Sequence, residues 1–301
     1  MDRTLIALLL AGPMLLGAVR WAPAAPTYLV STGVTPERFW TTKVQWRRAF
    51  DVALAGDSRV YRGLSPAEMR PSLGQRRIAN FGFPGCGLTR PYLEAVEALL
   101  DPARGEPTVV LGVTPHALTA HAARDNGFLA EMRRPLPERY ARMVLAPVER
   151  FFRPIDLATT LKEAAHPELR VWGNYFEELH DDGWVASRQV PEEADSALGE
   201  YRRVLEPVSP EIVEALLETV TRWRSRAIRV FAFRPPTSPA MLDLEARRSG
   251  FEESSFVEAF ERAGGVWLRL DGSYHSYDGS HLRDDAARAL SRDLAAAIAS
   301  R

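Results

Sequence analysis

Apolar positions gather into five short runs, at residues 50–55, 78–81, 107–113, 227–233 and 266–270. The first ends at Gly56 and the second in a glycine-rich turn. Short continuous apolar runs bounded by turn residues predict buried parallel strands rather than half-exposed ones. Elsewhere apolar and polar positions alternate at the helical period. Residues 91–100 bring Leu93, Val96, Leu99 and Leu100 to one face, and residues 282–298 do the same with Ala286, Leu290, Leu294 and Ile298. Strand alternating with helix predicts βαβ units, right-handed crossovers and helices on both faces of the sheet. The expected fold class is α/β, a doubly wound, flavodoxin-like parallel sheet of about five strands.

One stretch breaks the alternation. Between Val113 and Ile228 the pattern reads as helix at residues 138–152, 154–165, 192–205 and 210–224, without a strand-like run of comparable quality. A crossover needs only about a dozen residues, so a helical insertion is expected after the third strand, at about 117–226. It would lie near the carboxyl ends of the strands, where open α/β sheets bind ligands. A lid or part of the substrate site, and an interface for a protein partner, are both open readings.

The amino terminus concerns address rather than fold. Thr4 to Val19 form an apolar run behind Arg3, followed by the small residues Ala22-Pro23-Ala24-Ala25, the plan of a signal peptide. The run is shorter than the ~20 residues that span a bilayer comfortably, and Gly12-Pro13 interrupts it. Arg20 and Trp21 would nevertheless suit an outer interface. Residues 1–25 are therefore expected to be a signal peptide or short membrane anchor. Residues 26–301 would form one extracytoplasmic α/β domain, periplasmic, secreted or tethered to the outer face of the cytoplasmic membrane.

Composition narrows the function classes. The 38 basic and 39 acidic residues nearly cancel, giving no electrostatic reason to expect a nucleic-acid partner. An apolar content of 46% with 26% charged residues is that of a globular chain, not a disordered one. With Cys86 as its one cysteine, the chain can hold neither an intrachain disulfide framework nor a cysteine-cluster metal centre.

Candidate chemistry sits after the first and last strands. The first strand runs into Gly56-Asp57-Ser58, which puts a hydroxyl at a strand's carboxyl end. A serine capping the next helix would look the same. Asp278-Gly279-Ser280-His281 follows the last strand and precedes the C-terminal helix. An aspartate three residues before a histidine can orient the imidazole, which can then deprotonate the serine. Each motif alone is weak, and the pair is what points to Ser58, His281 and Asp278.

With these motifs the chain resembles the GDSL/SGNH hydrolases, and within them the exported branch similar to AlgX, AlgJ and DltD that acts on cell-surface polymers. The resemblance covers roughly residues 50–115 and 227–299. It implies Ser58 as nucleophile, His281 as base and Asp278 as its orienter. Asn80-Phe81-Gly82-Phe83-Pro84-Gly85-Cys86-Gly87 resembles the second block, implying that Gly85 donates a backbone N–H to the oxyanion, although the same glycines would serve a tight turn. The third block departs from the pattern. Where the family carries an asparagine this chain has Thr114, in Gly112-Val113-Thr114-Pro115-His116. Thr114, His116 or backbone groups alone would then complete the oxyanion hole.

Other residues carry less. His275 lacks the preceding aspartate that His281 has. His121, His166 and His180 fall in the insertion, where a surface position is the default, and His180-Asp181-Asp182 reads as a solvated turn rather than a metal site. Arg234 follows the fourth strand, where it would hold an anionic substrate group or pair with a structural carboxylate. The expectation is a serine-dependent esterase or O-acyltransferase acting on an extracytoplasmic carbohydrate or other envelope ester, with no cofactor and no metal implied. The alternative is a non-catalytic assembly or carbohydrate-binding component of a cell-envelope complex.

Overall fold

A computed structural model describes residues 36–103, 105–145 and 175–301. Five parallel strands form the sheet: β1 (Val52–Ala55), β2 (Ile78–Asn80), β3 (Thr108–Gly112), β6 (Arg229–Phe233) and β7 (Val266–Trp267), in the order β2-β1-β3-β6-β7. Chain order reverses between β1 and β3, so the crevice beyond their carboxyl ends is the natural ligand position in this topology. The doubly wound α/β expectation holds, and each of the five apolar runs contains one of these strands.

Alternate strand residues feed two cores. Ala53, Ala55, Val109, Leu111, Val230 and Ala232 face one way, under α4 (Arg90–Leu99), α9 (Pro210–Ser225) and α11 (Glu253–Arg262). Val52, Leu54, Val110, Phe231 and Phe233 face the other, under α2 (Ser58–Gly63), α3 (Pro66–Leu73) and α12 (Asp284–Ala299). Burial on both faces explains why the strands read as continuous apolar runs. The helix α1 (Pro36–Lys43) adds Phe39 and Trp40 at one flank.

The interrupting stretch differs from the helical reading in two ways. Tyr175–Leu179 (β4) and Val185–Gln189 (β5) form an antiparallel hairpin. Its signal is hidden because β4 reads YFEEL and β5 reads VASRQ, neither a clean apolar run. Packing supplies what the pattern lacks: Trp184 is buried in the second core, and its Nε1–H donates to Arg62 O at 2.8 Å. The helix over 210–224 does form, as α9, but it buries Leu216, Val220 and Trp223 against the sheet. It is thus a layer of the α/β core rather than part of an insertion. Short helices at Ala120–Arg124 (α5), Gly127–Met132 (α6), Leu136–Tyr140 (α7) and Leu198–Val204 (α8) remain, α8 packing on α10 (Pro239–Ser249) through Tyr201, Met241 and Leu244. The leader, the expected helix over 154–165, residues 146–152 of that over 138–152 and His166 lie outside the described residues. Among the described residues no helix is long and apolar enough to cross a membrane.

Candidate active site

The nucleophile corner is built by close packing at the end of β1. A Cβ on Gly56 would lie 2.5 Å from Val60 Cγ2 and 2.9 Å from Gly112 O, so only glycine lets the chain turn there. The Gly56 N–H donates to Tyr92 Oη at 2.9 Å, and Tyr92 donates on to Phe81 O at 2.9 Å. Asp57 caps α2 by accepting the Arg59 N–H at 3.0 Å. Ser58, the first residue of α2, is half-buried at the sheet edge. From β2, the buried Asn80 donates to Val60 O and Leu64 O and accepts from Gly82 N, tying this corner to the next loop.

The last block meets it. Ser58 Oγ lies 2.9 Å from His281 Nε2, and His281 Nδ1 lies 2.7 Å from Asp278 Oδ2. The other oxygen of Asp278 accepts the backbone N–H groups of Ser280 and His281 at 2.8 and 2.7 Å. Burial alone would raise the Asp278 pKa. The attraction of His281 and its hydrogen bonds outweigh burial, together with those from the Ser280 and His281 backbone, taking it from 3.8 to about 2. An ionised carboxylate can only accept, so Nδ1 carries the hydrogen, Nε2 presents its lone pair, and the Ser58 hydroxyl donates to it.

The loop carrying Asp278 and His281 is held from several sides. Ala197 N–H donates to Asp278 O and Ser238 N–H to Gly279 O. Arg59 Nε–H donates to Ser280 Oγ, and Ser280 Oγ–H donates to Tyr201 Oη. Arg62 Nη1 donates to Tyr277 Oη, which also lies 3.1 Å from Ser187 Oγ in β5. Gly279 has φ +89°, and a Cβ there would lie 2.6 Å from Asp195 Oδ1. Asp195, Ala197, Ser187 and Tyr201, four supports from the interrupting stretch, escape a motif-based reading because no local pattern announces their partners.

Thr114 and Arg234 take structural partners. The Thr114 hydroxyl is fully buried, donates to Asp57 Oδ2 at 2.6 Å and accepts the Ala117 N–H at 3.1 Å. Its single hydrogen thus points at Asp57 and not at an oxyanion. Arg234 pairs with Glu253 at 2.6 Å and with the buried Glu245 at 3.0 Å, so the carboxylate-pairing alternative describes it and the substrate-anion role does not. Glu245 also meets Arg59 at 2.7 Å, an ion pair with both side chains almost wholly enclosed. Gly85, with φ +58°, is half-buried in the loop after β2. His275 pairs with Glu192 at 2.5 Å and His180 stacks on Trp184, both away from Ser58 in their bonding. Cys86 is buried, and burial pushes its thiol pKa up, the opposite of a reactive thiolate. Among the described residues no three His, Cys, Asp or Glu side chains are grouped to hold a metal.

Comparison of the chain with family models, with curated proteins and with solved structures finds no match.

Proposed function

We propose that this protein is a serine-dependent acyl-ester enzyme, an esterase or O-acyltransferase that works through an acyl-enzyme. The observation that carries the reading is the continuous chain from Ser58 Oγ through the His281 ring to Asp278, at 2.9 and 2.7 Å. Ser58 Oγ attacks the ester carbonyl while its proton passes to His281 Nε2, and the imidazolium so formed is stabilised by Asp278. Collapse of the tetrahedral adduct breaks the ester C–O bond, and His281 returns the proton to the leaving alkoxide. Water or a second hydroxyl, deprotonated by the same ring, then attacks the acyl-serine and releases an acid or a new ester.

The GDSL/SGNH resemblance supports this assignment, and the leader sequence supports an extracytoplasmic carbohydrate or envelope ester as substrate. The alternative of a non-catalytic envelope component is favoured by one observation, the Thr114 hydroxyl directed to Asp57. Labelling with a fluorophosphonate separates the two. An activated serine is labelled at Ser58, Ser58→Ala abolishes both labelling and aryl-ester turnover, and a wild-type protein that takes up no probe overturns the enzyme reading.

A further inference from the structure

Attack by Ser58 places negative charge on the former carbonyl oxygen, and that charge needs donors already aimed at it. The backbone N–H groups of Ser58 and Gly85 make no hydrogen bond among the described residues. Thr114 does not supply a side-chain donor. His116 lies beside Gly85: a Cβ on that glycine would be 3.8 Å from His116 Nε2. The ring projects from a single 3₁₀ turn after β3, held where Thr114 accepts the Ala117 N–H and the Thr119 hydroxyl donates to His116 O. It is 7% exposed, with the rings of His121 and Tyr201 at 5.9 and 6.0 Å.

Two features set its protonation. Burial lowers its pKa against the pull of Asp57, keeping the ring neutral with one N–H. Nδ1 is sealed from solvent and has no partner. A hydrogen there would be an orphaned buried donor, a rarer arrangement than an unfilled lone pair. The hydrogen therefore belongs on Nε2, the nitrogen beside Gly85.

We infer that His116 is a catalytic residue of this site, the side-chain oxyanion donor, its Nε2–H acting with the backbone N–H groups of Ser58 and Gly85. The inference rests on the acyl-enzyme reading above and adds to it the group that stabilises the oxyanion.

The test compares His116→Ala and His116→Gln with wild type, using aryl-acetate turnover, fluorophosphonate labelling and the thermal midpoint. His116→Ala should lower kcat by ~10²–10³ with KM nearly unmoved, the signature of an interaction made in the transition state. His116→Gln, whose amide can donate from a similar position, should recover about tenfold or more of that loss. A His116→Ala protein with kcat within about threefold of wild type overturns the inference. So does a glutamine variant that folds normally but is as slow as alanine, or a fall in both variants that merely follows their thermal midpoints. If His116→Ala does not fold, the glutamine variant decides by the same criteria. Wild type that is unlabelled at Ser58 removes the acyl-enzyme reading and this donor with it, whereas labelled wild type with a silent His116→Ala removes the donor alone.

Discussion

The two halves of the candidate site are held in contrasting ways. Ser58 stands at the end of a central strand, and its position follows from contacts among β1, β2 and α2: the Gly56 turn, the Asp57 cap and the Asn80 clamp. Asp278 and His281 stand in a loop beyond a two-residue edge strand. Their position depends on distant partners, Ala197, Tyr201, Ser238 and Ser187, that meet only in the folded chain. The sheet thus fixes the nucleophile, while the base is fixed by a network drawn partly from the stretch that interrupts the alternation. Damage to the first region should appear mainly as lost stability, and damage to the second mainly as lost turnover.

The largest expected effect comes from the second region. Asp278→Asn replaces an acceptor-only carboxylate with an amide that can support the wrong tautomer, and kcat should fall by ~10⁴ while the fold persists. A stability readout accompanies it. The folded-state pKa of about 2 lies below the ordinary 3.8, so the carboxylate contributes stability above that ordinary value and loses it as pH falls through about 2. The contribution is about 2 kcal/mol. Urea unfolding of wild type should therefore weaken over this acid interval, and Asp278→Asn should flatten the change. An unchanged acid slope would detach Asp278 from His281.

In the first region Asn80→Ala is the counterpart. It leaves Leu64 O and Gly82 N without their buried partner and takes one of two donors from Val60 O, which keeps the Leu64 N–H. A loss of ~3 kcal/mol or more is expected, which lowers the thermal midpoint by on the order of 10 °C. Below the transition, the folded variant should still take up the fluorophosphonate at a rate close to wild type. A normal midpoint with slow labelling would reverse the contrast between the regions.

The same contrast explains what the sequence could reveal. The five strands were legible because burial on both faces makes each an uninterrupted apolar run. Ser58, Asp278 and His281 were legible because each motif follows a strand, and parallel strands bring their carboxyl ends to one edge. The β4–β5 hairpin was not legible. Its strands carry Glu177, Glu178 and Arg188, and what seats it is tertiary: Trp184 in the second core, Lys43 Nζ donating to Gly183 O at 2.9 Å, and Asn80 N–H donating to Asp182 O. Thr114 shows a further limit. Strand position placed it at the site, but which neighbour receives its single hydrogen depends on the Asp57 rotamer, which no spacing encodes.

Thr114→Val makes that last point measurable. Removing the hydroxyl leaves Asp57 Oδ2 and Ala117 N–H each short of a partner. Stability should drop by ~2 kcal/mol, with kcat of the folded enzyme changed by less than about fivefold. A kcat loss of ~10² without a stability loss would return Thr114 to the oxyanion and place it with the catalytic groups.

The smallest effect probes how far the base loop relies on the interrupting stretch. Tyr201→Phe keeps the ring, 5.1 Å from the Arg59 guanidinium, and removes only the oxygen that accepts from Ser280. A neutral hydrogen bond contributes ~1 kcal/mol, so the thermal midpoint should fall by only a few degrees. The informative quantity is coupling. Ser280 adjoins His281, so if the bond steadies the base, kcat should fall by about two- to fivefold in Tyr201→Phe and no further in the double variant with Ser280→Ala. Independent effects in the two single variants would mean that α8 packs beside the loop without orienting it, and that the base is held by its other contacts, the Asp278 carboxylate, the Ala197 and Ser238 N–H groups and the Arg62–Tyr277 hydrogen bond.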